Sequence, residues 1–150
     1  MWVQETSVHY QFDTEEGAAE YAKLTPPGGH TVFLHDDHSG LDSEPEVYTV
    51  ALFHQLKCLD IIRGQITNPS HNPTRPLVQH CMNYLRQMLL CYPNLRLEPA
   101  IDPTGTAVRG YQASCRDWTT LYDEAEANHL AYKSRYNLNH SVNLTNGSQM

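Results

Sequence analysis

The sequence predicts an α+β fold that is mainly helical. Three observations carry that reading. Residues 47–66 and 76–92 place apolar side chains at helical spacings over about five turns each. Asn68-Pro69 and Asn72-Pro73 break the pattern between them, and a link of about eight to ten residues favours an antiparallel helix pair. Short alternating or β-branched stretches are confined to the N-terminal third, which predicts a few short strands beside that pair.

Taken in order, Trp2 to Phe12 alternates at Val8, Tyr10 and Phe12 and predicts a half-buried strand. Asp13 with Glu16 reads as a capping box opening a short helix through Leu24, which Pro26-Pro27-Gly28-Gly29 ends. Thr31 to Leu34 predicts a second strand, and Asp36 to Glu46 a polar loop with Gly40 and Pro45 as breakers. The first central helix runs from Val47 to Ile66. The second starts near Pro76, a residue suited to a first turn, and stops before Pro93. Leu95 to Pro99 reads as extended and Pro103-Thr104-Gly105 as a turn. Asp117 is placed to cap a last helix reaching about Tyr132. One domain over 1–136 is expected, followed by a polar, disordered tail over 137–150.

The chain has 150 residues, with 10 Lys+Arg against 17 Asp+Glu and a net charge of −7. The acidic balance argues against nucleic acid as a partner, because phosphate binding needs a basic face. No apolar run approaches the roughly 20 residues of a membrane span. Residues 1–12 lack the pattern of a signal peptide. The expectation is a protein soluble as given, or one whose leading anchor is missing; in the latter case it would face the secretory lumen. Nine His and four Cys raise the prior for metal or acid–base chemistry. The four Cys allow three pairings, and spacing does not choose among them.

Two clusters stand out on the central helices. In His54-Gln55-Leu56-Lys57-Cys58, His54 and Cys58 are four apart and share a face. In Leu77-Val78-Gln79-His80-Cys81, His80 and Cys81 are adjacent. If the helices pack antiparallel, His54, Cys58, His80 and Cys81 would face one another, enough donors for a metal. The alternative is that the cysteines are small core residues or a disulfide, with the histidines hydrogen-bonded in the core. His35-Asp36-Asp37-His38 is a third polar cluster, read as a solvated loop. Three Asn-x-Ser/Thr triplets begin at Asn139, Asn143 and Asn146 and matter only in a secretory compartment.

Four blocks in order, His54-Gln55-Leu56-Lys57-Cys58-Leu59, His80-Cys81-Met82-Asn83-Tyr84-Leu85-Arg86-Gln87, Leu97-Glu98-Pro99 and Cys115-Arg116-Asp117-Trp118, resemble the UstYa-like family of fungal secondary-metabolite tailoring proteins. The resemblance spans about Tyr21 to Tyr122. It implies oxidases of cyclisation, hydroxylation, desaturation or halogenation, a pair of His-x-x-His-Cys motifs holding a metal, with copper favoured, and an N-terminal anchor. The four Cys all fall inside that span, and Cys91 is expected to pair with Cys115, tying the second helix to the start of the last; for Cys58 and Cys81 a second bridge and free thiols both stay open. This chain departs from the pattern at two positions: Lys57 and Leu77 stand where the motifs have His.

Leucine cannot ligate, and a protonated lysine repels a cation. The favoured expectation is therefore a metal-free tailoring enzyme with no cofactor. It would catalyse a pericyclic closure or isomerisation of a small apolar intermediate. His54, Lys57, His80, Tyr84 and Glu98 are the candidate catalytic residues, as donors to a carbonyl or, for Glu98, as an orienting carboxylate. An equal alternative for Glu98 is a salt bridge to Arg86 or Arg116. Phe53, Leu77 and Met88 would line the pocket. The runner-up is a copper oxidase using His54, Cys58, His80 and Cys81. A third reading is a non-catalytic partner of another tailoring enzyme, and homo-oligomerisation is open to all three.

Overall fold

The computed structural model describes residues 2–4, 8–35, 44–69, 75–95 and 110–146. It is mainly helical, with two small antiparallel sheets. The elements are β1 (Trp2–Gln4), α1 (Glu15–Ala22), β2 (Thr31–Leu34), β3 (Glu46–Thr49), α2 (Ala51–Thr67), α3 (Arg75–Cys91), β4 (Gly110–Gln112) and α4 (Thr119–Asn146). Among the described residues no helix is long and apolar enough to cross a membrane.

The chain folds as two compact units. The first comprises Met1–Leu24 and Gln55–Arg116, the second Thr25–His54 and Asp117–Met150. The boundary falls inside α2, which runs through it without a break.

In the first unit β1 pairs antiparallel with β4, Val3 opposite Tyr111. The strand expected through Phe12 ends at Gln4 in the described residues. Tyr10 adopts a left-handed conformation (φ 58°), which no strand tolerates, and Val8 is exposed. The segment instead lies on α1. The Tyr10 amide donates to Glu20 Oε2 at 2.5 Å, His9 Nδ1 lies 2.6 Å from Glu20 Oε1, and Tyr10 meets Tyr21 edge to face at 5.6 Å. Arg63 of α2 adds a third tie. Its Nη1 donates to the Phe12 carbonyl, its Nε lies 3.0 Å from Asp60 Oδ1, and its guanidinium sits over the Tyr21 ring. Thr14, not Asp13, caps α1: its hydroxyl accepts from Gly17 N at 3.0 Å.

In the second unit β2 and β3 form a hairpin pair, Val32 opposite Tyr48 and Phe33 opposite Val47. Here the helix begins later than the sequence predicts. Val47-Tyr48-Thr49 is β-branched and aromatic, and pairing with β2 claims it for a strand, so α2 starts at Ala51. The free edge of β2 meets α4, whose Tyr132 stacks flat on Phe33 at 3.6 Å. Phe53 is fully buried and packs edge to face on Tyr122, which in turn meets Trp118. Asp117 Oδ1 accepts from the Thr119 amide and hydroxyl where α4 begins, and these bonds hold its carboxyl below the usual carboxylate range. The helix continues past Tyr132, the end expected from sequence, because no Pro or Gly interrupts 119–146. The backbone of 137–146, placed by sequence in a tail, is helical; residues 147–150 lie outside the described residues.

Candidate functional site

The site is built on α2 and α3. Cys58 lies nine residues before the end of α2 and Cys81 six residues after the start of α3. Both are fully buried, and their thiols hydrogen-bond to each other. The contact between Cys81 and Cys58 brings the middle of α3 against the middle of α2. Cysteine suits such a crossing because its small side chain lets two backbones approach closely.

Three further groups surround this pair. The Tyr84 hydroxyl is pushed above the usual phenol range by burial and by the neighbouring Cys58, so it stays protonated. His80 stacks on Tyr84 within α3, ring centroids 6.2 Å apart and nearly parallel. His54 precedes Cys58 by one turn of the same helix, as the i, i+4 spacing requires. The donor atoms of His54, Cys58 and His80 all lie within 4.8 Å of one another.

That grouping bears on a metal. Ligand bonds of about 2.0 to 2.3 Å put neighbouring donors roughly 3.5 Å apart in a tetrahedron. At up to 4.8 Å apart, these three donors would have to draw together to share one ion, for which they supply three of four ligands. The donor set, two imidazoles and one sulfur, suits copper or zinc. One condition attaches: burial, followed by the contact with Cys81, pushes the Cys58 thiol up to about 12. It ligates only if the metal displaces that proton.

The other candidates are placed as follows. Lys57 is exposed, and its charge therefore stands in solvent rather than inside the cluster. Leu77 is exposed, Met88 is half-buried, and Phe53 is sealed against Tyr122. Cys81 faces Cys58 and lies outside the three-donor group. Glu98 and residues 36–38 lie outside the described residues; His35 Nε2 meets Arg135 Nη1 at 2.9 Å. Cys91 and Cys115 are both exposed in the first unit.

Sequence reasoning missed His30. It sits just before β2 and stacks on His54, ring centroids 6.1 Å apart. The Val50 amide donates to the His30 carbonyl at 2.9 Å and fixes its backbone beside the start of α2. No local pattern marks it, because the link is made by the β2–β3 pairing.

The family model described as "Mycotoxin biosynthesis protein UstYa" matches residues 15–128 and so runs from the start of α1 into the first third of α4. The chain belongs to the UstYa family. Among curated relatives, the "UstYa family oxidase phomYb" of Diaporthe leptostromiformis is 34% identical over 116 residues, covering 68% of this chain and 46% of its own. The "Chlorinase cctP2" of Talaromyces islandicus is 28% identical over 100 residues, covering 62% of this chain and 32% of its own. The chain thus spans about half the length of the first and about a third of the second. No solved structure matches this UstYa-family chain.

Proposed function

We propose that this chain is a tailoring enzyme of fungal secondary metabolism that oxidises a small apolar intermediate at a metal held by His54, Cys58 and His80. The observation that carries the reading is the grouping of those three donors within 4.8 Å on α2 and α3. It is supported by two relatives named an oxidase and a chlorinase. Bound copper would supply one-electron oxidation. The chain's own residues do the rest. Tyr84, half-buried and kept protonated, orients a carbonyl or hydroxyl of the intermediate by hydrogen bonding. Stacking on Tyr84 fixes the His80 ring, and stacking on His30 fixes that of His54. Lys57, being exposed, opposes a cation less than its sequence position implies.

A second reading is metal-free cyclisation of the same class of intermediate. Leu77 and Lys57, in place of two imidazoles, favour it, as do the Cys58 thiol and the Tyr84 hydroxyl, both held in their proton-donating forms. Copper(II) titration of the full chain separates the two. One copper per chain with nitrogen hyperfine structure in its paramagnetic resonance spectrum, lost in His54→Ala and in His80→Ala, supports the oxidase. Failure to retain stoichiometric copper in folded protein sinks it and leaves the cyclase.

A further inference from the structure

Cys58 and Cys81 are two of the three fully buried large side chains among the described residues, the third being Phe53. They sit where α2 and α3 approach, and each thiol is the other's hydrogen-bond partner. Of the other apolar side chains here, Leu56, Ile61 and Ile62 of α2 and Val78, Leu85 and Met88 of α3 are half-buried. Leu59 and Ile66 of α2 and Met82, Leu89 and Leu90 of α3 are all exposed, Leu89 by 70%. Two helices whose other apolar side chains are half-buried or exposed gain only part of what full burial would supply. A covalent tie is the other means by which small domains hold such elements together. Two thiols in contact can close to a disulfide where their Cα atoms lie within about 7 Å.

We propose that Cys58 and Cys81 are a disulfide-forming pair that joins α2 to α3 and, when closed, withdraws the sulfur from the His54–Cys58–His80 donor group. The reaction is thiol–disulfide exchange with a low-molecular-weight or protein disulfide. The two cysteine thiols lose two protons and two electrons as the Cys58–Cys81 bond forms, and the external disulfide takes them up as two thiols. Because both sulfurs are buried, exchange takes place while the chain folds, and the folded protein shields the bond from later reduction. The bridge stands on the geometry alone; its consequence for the donor group rests on the metal-binding reading above. In the closed form only two imidazoles remain, too few to hold a metal tightly. The pair would therefore decide which of the two proposed chemistries the site can support.

The test refolds the full chain in a glutathione/glutathione-disulfide buffer and maps the non-reduced digest by mass. A peptide joining Cys58 to Cys81 is expected. Recovery of both as separately alkylated thiols, or joined to Cys91 or Cys115 instead, overturns the bridge. Cobalt(II) is then added to the oxidised protein and to protein refolded with a phosphine reductant. The reduced form should show sulfur-to-cobalt charge-transfer absorption and the oxidised form none. A mapped bridge with equal absorption in both forms overturns the consequence for the donor group. A mapped bridge with no absorption in either form removes Cys58 as a ligand and counts against the metal-binding reading, while the bridge itself stands. Cys81→Ala keeps the Cys58 sulfur open under both conditions and should bind cobalt in both.

Discussion

Asn128 holds both backbone polar groups of Phe33. Its Oδ1 accepts from the Phe33 amide at 2.8 Å, and its Nδ2 donates to the Phe33 carbonyl at 2.7 Å. A carboxamide presents the donor and acceptor of a peptide group, so Asn128 acts as a one-residue strand on the edge of β2 that β3 leaves open. With Tyr132 stacked on the Phe33 ring, this is how α4 is fixed to the hairpin in the second unit.

Replacing Asn128 by Ala or Leu therefore leaves two backbone groups without that partner. A loss of about 2 kcal/mol is expected, since unmet polar groups cost roughly 1–3 kcal/mol each when water is partly excluded. Asn128→Asp should cost at least as much as Ala near neutral pH, because a carboxylate oxygen would then face the Phe33 carbonyl. Denaturant unfolding of the three variants measures this. Equal midpoints for wild type and Asn128→Leu would show that the contact contributes nothing.

Gly17 gives a case in which helix propensity and packing have opposite signs. It lies inside α1, where alanine is normally better by roughly 0.5–1 kcal/mol. A Cβ at Gly17, however, would lie 1.8 Å from the carbonyl oxygen of Gln11. That oxygen is backbone, in the segment strapped to α1 by Glu20, and cannot swing aside. Gly17→Ala should destabilise by about 1–3 kcal/mol, the range of overpacked sites. A raised melting temperature would mean that the 8–12 segment does not pack as described.

These two sites also show what the sequence could and could not disclose. The helices α2 and α3 were legible because their apolar periodicity is local, and Pro76 and Pro93 bracket the second. The Cys58 and Cys81 positions were legible as a facing pair for the same reason. What was hidden is what depends on partners distant in sequence. β3 looks like the start of a helix until β2 pairs with it. Residues 8–12 alternate like a strand, but the Glu20 carboxylate and the Gln11–Gly17 approach bend them. His30 has no motif, and it reaches His54 through the hairpin.

The Cys91–Cys115 bridge expected from the sequence remains to be tested. Both residues are exposed, belong to the first unit and enclose 23 intervening residues. Closing such a loop stabilises by roughly 3–4 kcal/mol in the chain-entropy model. Non-reduced peptide mapping should join Cys91 to Cys115, and Cys91→Ser should lower the unfolding midpoint under oxidising conditions only. A midpoint shift of the same size in reductant would point to packing rather than a bond.

Glu20 sets an acid limit on the N-terminal segment. The Tyr10 amide first, and His9 second, hold its carboxyl below its ordinary value of 4.5. A carboxyl with a depressed folded-state value contributes stability above its unfolded value, and that contribution fades as pH falls through the folded one. The 8–12 segment should therefore protect its amides from hydrogen exchange at neutral pH and lose that protection as the pH falls below the ordinary value of 4.5 and through the lowered folded-state value. Glu20→Gln should lose that pH dependence and give uniformly faster exchange at Tyr10. Unchanged exchange at Tyr10 in the variant would remove Glu20 as the strap.

The decisive variants for the site are His54→Ala, His80→Ala, Tyr84→Phe and Lys57→Met. If His54 and His80 act together in one centre, removing either should cost most of the turnover, and removing both should cost little more. Tyr84→Phe deletes one protonated donor while keeping the ring on which His80 stacks. Loss of one aimed donor costs roughly 10²–10³ in kcat, with KM nearly unchanged if the bond tightens only in the transition state. Lys57 is exposed, so Lys57→Met should change turnover less than about threefold, within roughly 0.6 kcal/mol. Its more telling replacement is Lys57→His combined with Leu77→His, which puts imidazoles at the two positions where the family motifs have them. If those positions face the donor group, copper retention should tighten by about tenfold or more, at least 1.4 kcal/mol. If retention is unchanged while the double variant folds, Lys57 and Leu77 face solvent in the working protein. The three-donor group His54, Cys58 and His80 is then all the metal chemistry that α2 and α3 can offer.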